Sequence, residues 1–105
     1  MPLSANIIDS LDKAFDNRLR LGIMSALMVN KSISFKDLKD ILQITDGNLA
    51  SHLKILEENK YIIVSKGFIG RKTNTTYSVT VKGKQAFMLH LNALEKMIEQ
   101  IEQMK

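Results

Sequence analysis

Apolar residues recur at helical spacing over most of this chain and predict five helices and one β-hairpin. The clearest case lies in residues 45–60, where Leu49, Leu53 and Leu56 follow one another at spacings of four and three. This spacing places the three side chains on one face of an α-helix, which we expect to be buried. Gly47 and Ser51 lie on the opposite face. That face is small and polar near the start of the helix, so it can lie close against another surface.

Three further helices are predicted before this stretch. The first covers residues 1–16, with Ser4 or Asn6 as its cap. Its apolar positions are Ile7, Ile8, Leu11, Ala14 and Phe15. The second opens at Asp16 or Asn17 and keeps helical spacing as far as Asn30. It is apolar enough to form the centre of the core. Arg18 and Arg20, near its start, are interpreted as solvated residues at a helix end.

A short helix from Phe35 to about Gln43 is predicted next, with Ser34 and Asp37 forming a variant of the capping box. Its apolar positions are expected to face inward, Ile41 among them. About three residues then separate it from the helix that opens after Thr45 or Asp46. This spacing is typical of a helix-turn-helix, in which the first helix braces the second at a steep angle.

After Lys60 the pattern changes from helical to extended. Residues 61–64 are aromatic or β-branched, and residues 75–80 repeat that pattern. The segment KGFIGRKTN between them contains turn-forming glycines, with Arg71 and Lys72 at its tip. These features predict a β-hairpin with a basic end. A helix-turn-helix followed directly by a basic hairpin is the winged-helix arrangement, so the predicted fold class is mainly α with a small hairpin (α+β).

The last predicted helix covers residues 81–105 and begins at a cap on Thr80. Its apolar residues alternate spacings of four and three, which is the pattern of a heptad seam. They are Phe87, Leu91, Leu94, Ile98 and Ile101. The seam could pack against the first helix, but 25 residues exceed the needs of a domain this small. A homodimer formed by both terminal helices is therefore the stronger interpretation. The predicted interface comprises Ile8, Leu11, Phe15, Leu91, Leu94, Ile98 and Ile101.

The chain is predicted to be one domain, with a helix-turn-helix and wing in residues 17–80 between the two dimerisation helices. Its 105 residues carry 15 Lys and Arg against 11 Asp and Glu, a net charge of +4. The distribution is more informative than the sum, because residues 60–84 hold six cations and no carboxylate. This favours a nucleic acid as partner. A solvated basic hairpin with no partner is the alternative.

Several functional classes are disfavoured by what the sequence lacks. The absence of cysteine removes disulfides, thiolate nucleophiles and soft-metal sites. His52 and His90 lie on different predicted helices, and no hydrolase or phosphate-loop motif is present. The GxxG of residues 67–70 matches an RNA-binding loop, but that loop joins helices and this one lies between strands. We expect no enzyme activity and no cofactor.

The N-terminal sequence is not that of a signal peptide, and no apolar run approaches the length of a membrane span. The sequence therefore predicts a soluble cytoplasmic protein without a membrane partner.

Three motifs in order carry a resemblance to a known family. They are DGNLASHLKILEENKYI in residues 46–62, GRKTNTTY in residues 70–77 and TVKGKQAF in residues 80–87. Together they resemble the MarR/ArsR-like winged-helix transcriptional regulators, in particular the small single-domain group with a DGNLxxHL recognition helix. The resemblance covers roughly residues 10–95. Two positions depart from the pattern, since Lys60 stands where Gly is common and Val81-Lys82 replaces Pro-Glu.

The resemblance implies a homodimer that binds double-stranded DNA at a pseudo-palindromic operator, usually as a repressor. The residues placed against the major groove are Gly47, Asn48, Ser51 and Lys54, and those placed in the minor groove or along the backbone are Arg71 and Lys72. Asp46 is interpreted first as a helix cap, and His52 as a brace between helices. The sequence does not identify a small-molecule effector. The alternative function is a winged helix that binds another protein.

Overall fold

The computed structural model describes residues 5–104. The helices in this part of the chain are α1 (Ala5–Asp9), α2 (Arg18–Val29), α3 (Phe35–Leu42), α4 (Asp46–Glu58) and α5 (Val81–Gln103). The strands are β1 (Ile33–Ser34), β2 (Ile62–Ile69) and β3 (Lys72–Val79). Five helices with a small antiparallel sheet confirm the predicted α+β winged helix.

Four of the helices begin where a polar side chain satisfies the free backbone N–H groups of the first turn. Asn17 accepts hydrogen bonds from two such groups at the start of α2. Ser34 accepts one from the Asp37 N–H at 3.0 Å, which confirms Ser34 as the cap of α3. Thr45 and Thr80 do the same for α4 and α5. The ends of these helices therefore fall within about two residues of the predicted positions.

The predicted first helix is wrong in its second half. Helix α1 ends at Asp9, and a 3₁₀ turn occupies Lys13–Phe15. Asp12 caps that turn by accepting a hydrogen bond from the Ala14 N–H, and its own backbone is extended. The predicted cap Ser4 lies outside the described residues, and Asn6 lies inside α1.

Hydrogen bonds to distant parts of the chain explain this break. The backbone N–H of Asp12 donates to Nδ1 of His90 at 3.0 Å, and its carboxylate accepts a hydrogen bond from the Tyr61 hydroxyl at 2.5 Å. These partners tie the segment to α5 and to the start of the wing. In a continuous helix the backbone N–H of Asp12 would donate to the carbonyl four residues earlier. It would then not be available to His90.

The sheet has the strand order β1-β3-β2 and is antiparallel throughout. Strand β1 pairs through Ile33 with Tyr77. The wing is longer than predicted, because β2 continues to Ile69 and Lys72 already faces it as the first residue of β3. Only Gly70 and Arg71 remain as the turn. Gly70 has a φ of +63°, which suits the first position of a two-residue hairpin turn and makes a longer loop unnecessary.

The core lies between α2, the helix-turn-helix and the base of the sheet. The residues with the least exposure are Ile23, Met24, Leu27, Leu38, Leu49, Leu53 and Leu56. Phe15 joins this core, with its ring centroid between 5.2 and 5.3 Å from those of Tyr61, Phe87 and His90. Only 2% of Phe15 is exposed. The expectation that Phe15 lies at a dimer interface is therefore corrected, because the turn at Asp12 directs it into its own chain.

The C-terminal part of α5 extends beyond this core. The last buried residue of the helix is Ala93, and Ile98 and Ile101 expose 56% and 61% of their surface. The radius of gyration is 16.1 Å, against about 13 Å for a compact domain of this length.

Ile41 of α3, expected to face inward, is exposed. No helix in residues 5–104 is long and apolar enough to cross a membrane.

Candidate nucleic-acid interface

Helix α4 is fixed to the core by one face and leaves the other free. Leu49, Leu53 and Leu56 are fully covered by the chain. The four residues predicted to face the major groove are all exposed: Gly47, Asn48, Ser51 and Lys54. They occupy the first three turns of the helix and are separated by one, three and three residues, which keeps them on one side. The fold therefore brings these four predicted residues together on a single surface.

The start of α4 is organised differently from the prediction for Asp46. Thr45 is the cap, because its hydroxyl accepts a hydrogen bond from the Asn48 N–H at 3.2 Å. Asp46 is the first helical residue, and its carboxylate lies 2.8 Å from Nζ of Lys39. This hydrogen bond raises the pKa of Lys39. The ion pair joins the two helices of the helix-turn-helix and offsets a negative charge next to the polar face.

His52 braces α4, but its partner is Arg20 on α2, a contact that the sequence did not predict. Its Nδ1 lies 3.1 Å from Nη1 of Arg20, whose Nε donates to the carbonyl of Ala14 at 2.7 Å. A guanidinium group can only donate, so Nδ1 of His52 accepts this hydrogen bond. Burial, and secondly the charge of Arg20, lower the pKa of His52. The interpretation of Arg20 as a solvated residue is therefore wrong.

The wing carries both predicted cations at its tip. Arg71 lies in the turn and Lys72 directly after it, and both are exposed. The structure adds two residues that sequence reasoning missed, because Phe68 and Ile69 expose 75% and 69% of their surface. The apolar character of these two residues is the signal that could have identified them, but the glycines on either side suggest a loop. The wing thus ends in a mixed basic and apolar tip.

The base of the wing is anchored to both neighbouring helices. The hydroxyl of Thr80 donates toward the carbonyls of Lys60 and Tyr61, at 2.8 and 3.1 Å. Lys60 adopts a φ of +63°, a left-handed conformation that glycine adopts without strain. Burial, together with the Asp12 carboxylate, raises the pKa of Tyr61 to about 12. These contacts close the base of the hairpin between the end of α4 and the start of α5.

Gly83 of α5 packs against the backbone of Tyr61 at the base of the wing. A Cβ at Gly83 would lie 2.1 Å from the carbonyl oxygen of Tyr61. At Gly47, by contrast, a Cβ would meet nothing within 4 Å. The chain's own packing therefore requires glycine at position 83 and not at position 47.

Residues 5–104 contain no group of three or more histidine, aspartate or glutamate side chains placed to hold a metal ion. The exposed faces of α4 and the wing remain the candidate site.

Comparison with known proteins identifies the fold. A family model described as a winged helix DNA-binding domain matches residues 19–98. The chain belongs to this winged-helix family. The match includes the helix-turn-helix, the wing and most of α5, so the family covers every residue of the candidate interface.

Individual relatives agree with this assignment. An uncharacterised protein of Methanocaldococcus jannaschii is 33% identical over 90 residues, which are 86% of this chain and 98% of that protein. The structure of a transcriptional regulator homologue from Pyrococcus horikoshii has a TM-score of 0.81 and 28% identity, and the match covers 91% of this chain and 93% of that one.

A protein from Enterococcus faecalis described as a MarR-family transcriptional regulator shares the fold, with a TM-score of 0.73 and 20% identity over 98% of this chain and 93% of that one. The fold is thus one that a MarR-family regulator also adopts. The family and fold are those of DNA-binding transcriptional regulators.

Proposed function

We propose that this winged-helix protein acts in the cytoplasm as a homodimeric repressor that binds a pseudo-palindromic operator in double-stranded DNA. Helix α4 enters the major groove, and the wing contacts the minor groove or the backbone. The observation that carries this proposal is the exposed face of α4 beside a wing without carboxylates. The wing carries no carboxylate and Asp46 is paired with Lys39, so a polyanion can approach the N-terminal part of α4 and the wing together.

Each residue of the α4 face has a distinct part in this proposal. Asn48 and Ser51 donate or accept hydrogen bonds at base edges or phosphates, and Lys54 pairs with a phosphate. Gly47 lets the DNA approach the helix backbone. The empty space around Gly47 supports this assignment, because no neighbour within the chain explains the missing side chain.

The dimer is supported by apolar surface that one chain leaves exposed. Ile8 on α1 is exposed, as are Ile98 and Ile101 on α5. Leu11, Leu91 and Leu94 are half-buried and continue this surface toward the core. A second copy that covers it would stabilise both chains by removing apolar area from water. Two-fold symmetry would then place the two α4 helices on half-sites about 34 Å apart.

A mobility-shift titration tests the DNA assignment, with duplexes recovered from a random library by the wild-type protein. The Arg71→Ala plus Lys72→Ala variant is expected to bind these duplexes more weakly and with a shallower dependence on salt, because fewer phosphates are neutralised. The matched control is Lys13→Ala plus Lys31→Ala, which removes the same charge outside α4 and the wing. The control is expected to bind like the wild type.

The alternative function is binding of another protein through the exposed apolar part of α5. A wild-type protein without duplex affinity even at low salt would contradict DNA binding and favour this alternative.

A further inference from the structure

We propose that Phe68 is an apolar wedge that the wing inserts into the minor groove, so that the protein bends the DNA it binds. This inference rests on the proposed DNA-binding function and deepens it. Phe68 is the penultimate residue of β2 and is 75% exposed at the end of the hairpin farthest from the core. Exposing a phenyl ring to water is unfavourable, so the free chain gains no stability from it.

The strand register gives the direction of the ring. Phe68 pairs with Thr73, and Ile69 pairs with Lys72. Because paired residues of antiparallel strands share a face and faces alternate along a strand, Phe68 lies on the same face as Tyr77, which is buried. Ile69 lies on the opposite face. Phe68 is therefore on the side of the wing that packs against the helices, and a duplex lying along α4 can meet it.

The residues around Phe68 favour DNA as the partner that the wing tip binds. Residues 59–94 contain no Asp or Glu, and Arg71 and Lys72 follow Phe68 within four positions. An apolar side chain next to two cations suits a polyanion that also offers apolar surface. The minor groove does so, since its phosphates form the rims while the sugars and base steps lie between them.

The dimensions of the groove indicate how the tip enters. The minor groove of B-DNA is about 6 Å wide, which admits side chains but not a two-stranded ribbon. The side chains at the turn therefore enter while the strands stay outside. An apolar residue placed there unstacks a base step and kinks the duplex by roughly 20–90°.

A wedge would also supply sequence preference that α4 lacks. With Lys54 assigned to a phosphate, Asn48 and Ser51 are the two residues of the exposed α4 face left to read base edges. Unstacking is easiest at pyrimidine–purine steps, so a wing that kinks DNA favours such a step beneath it. The sequence selected by the protein would then depend on deformability as well as on hydrogen bonds.

The test uses duplexes recovered from a random library by the full chain, with the bend angle measured by circular permutation and base unstacking by 2-aminopurine fluorescence. The wild type is expected to bend the duplex and increase the fluorescence at one step in each half-site. Phe68→Ala is expected to lose both signals and to bind about tenfold more weakly. Phe68→Leu, which keeps an apolar wedge, is expected to retain the bend.

Ile69→Ala is the matched control, because this residue is 69% exposed on the opposite face of the same strand. The control is expected to keep the bend. If the wild type binds the duplex without bending it, or if Phe68→Ala bends it fully, the wedge is contradicted while the proposed DNA-binding function stands. If Phe68→Ala leaves DNA binding unchanged but abolishes binding to anionic lipid vesicles, the tip serves a membrane surface and the inference is overturned. If no duplex is bound, both fail.

Discussion

Arg20 of α2 and His52 of α4 are joined by a hydrogen bond of 3.1 Å between Nη1 and Nδ1. This contact couples the orientation of the proposed recognition helix to the central helix of the core. It also requires a neutral imidazole ring, because a protonated Nδ1 would face the guanidinium donor. The coupling of α4 to the core should therefore depend on pH.

The first prediction concerns this pH dependence. Folding lowers the pKa of His52 from its ordinary value of 6.5, so the unfolded chain takes up the proton first. The stability that His52 contributes is thus fully present above pH 6.5 and is lost as the pH falls through the lower pKa of the folded ring. The free-energy advantage of the wild type over His52→Gln should shrink between pH 7 and pH 5.

An NMR titration of the two histidine rings checks the cause. His52 should titrate below pH 6.5 in the wild type, and Arg20→Gln should move its pKa upward because a positive neighbour is removed. A titration of His52 at or above its ordinary pKa would mean that the ring does not contact Arg20 in solution.

The second prediction compares two glycines. Gly83→Ala should destabilise the fold by about 1–3 kcal/mol, since the added methyl group would overlap the Tyr61 carbonyl. Gly47→Ala should leave stability unchanged or raise it by up to about 1 kcal/mol, because alanine is the better helix former. Thermal unfolding measures both effects.

The same Gly47→Ala variant should bind duplex DNA roughly tenfold more weakly, a loss of about 1.4 kcal/mol. The methyl group is accommodated by the chain but lies where the DNA backbone is proposed to approach. Unchanged affinity in a stable Gly47→Ala protein would remove Gly47 from the interface.

The third prediction concerns backbone strain at Lys60. A side chain at a φ of +63° costs about 1 kcal/mol, which glycine avoids. Lys60→Gly should therefore stabilise the protein by roughly 0.5–1 kcal/mol in denaturant unfolding. Lys60→Ala removes the same charge and keeps the strain, so it should show no comparable gain in stability. Equal gains in the two variants would mean that the loss of charge, and not the relief of strain, stabilises the protein.

The fourth prediction concerns the dimer. Sedimentation at micromolar concentration should show a wild-type dimer and an Ile98→Lys monomer, because a lysine in a covered apolar surface would be desolvated. Val29, which is 82% exposed on α2, supplies the matched control. Val29→Lys should remain dimeric. A monomeric wild type, or an Ile98→Lys dimer, would show that α5 is not the interface.

The parts of this structure that sequence reasoning predicts are those set by local chemistry. Ser34, Thr45 and Thr80 each cap the helix that follows them, and the leucine spacing in α4 identifies its buried face. These signals lie within a few residues of the structure they determine. The predicted exposure of the α4 residues follows from the same periodicity.

The parts that it misses depend on contacts between distant residues. The break at Asp12 requires Tyr61 and His90, which lie 49 and 78 positions away, and the role of Arg20 requires His52, 32 positions away. The spacing of apolar and polar residues near Asp12 and Arg20 does not indicate these pairs. The wing was predicted too short for a different reason, since a segment with two glycines and an asparagine suggests a loop, although one glycine is enough for the turn.

The most direct test of the proposed function is a hydroxyl-radical and methylation-protection footprint of the wild-type protein on a duplex selected from random DNA. The proposed function predicts two protected major-groove segments related by two-fold symmetry, with centres about 10–10.5 base pairs apart or a multiple of that, and wing protection in the adjacent minor grooves. A single unsymmetrical protected segment would contradict the dimeric arrangement. An absence of any protection at low salt would contradict operator binding itself.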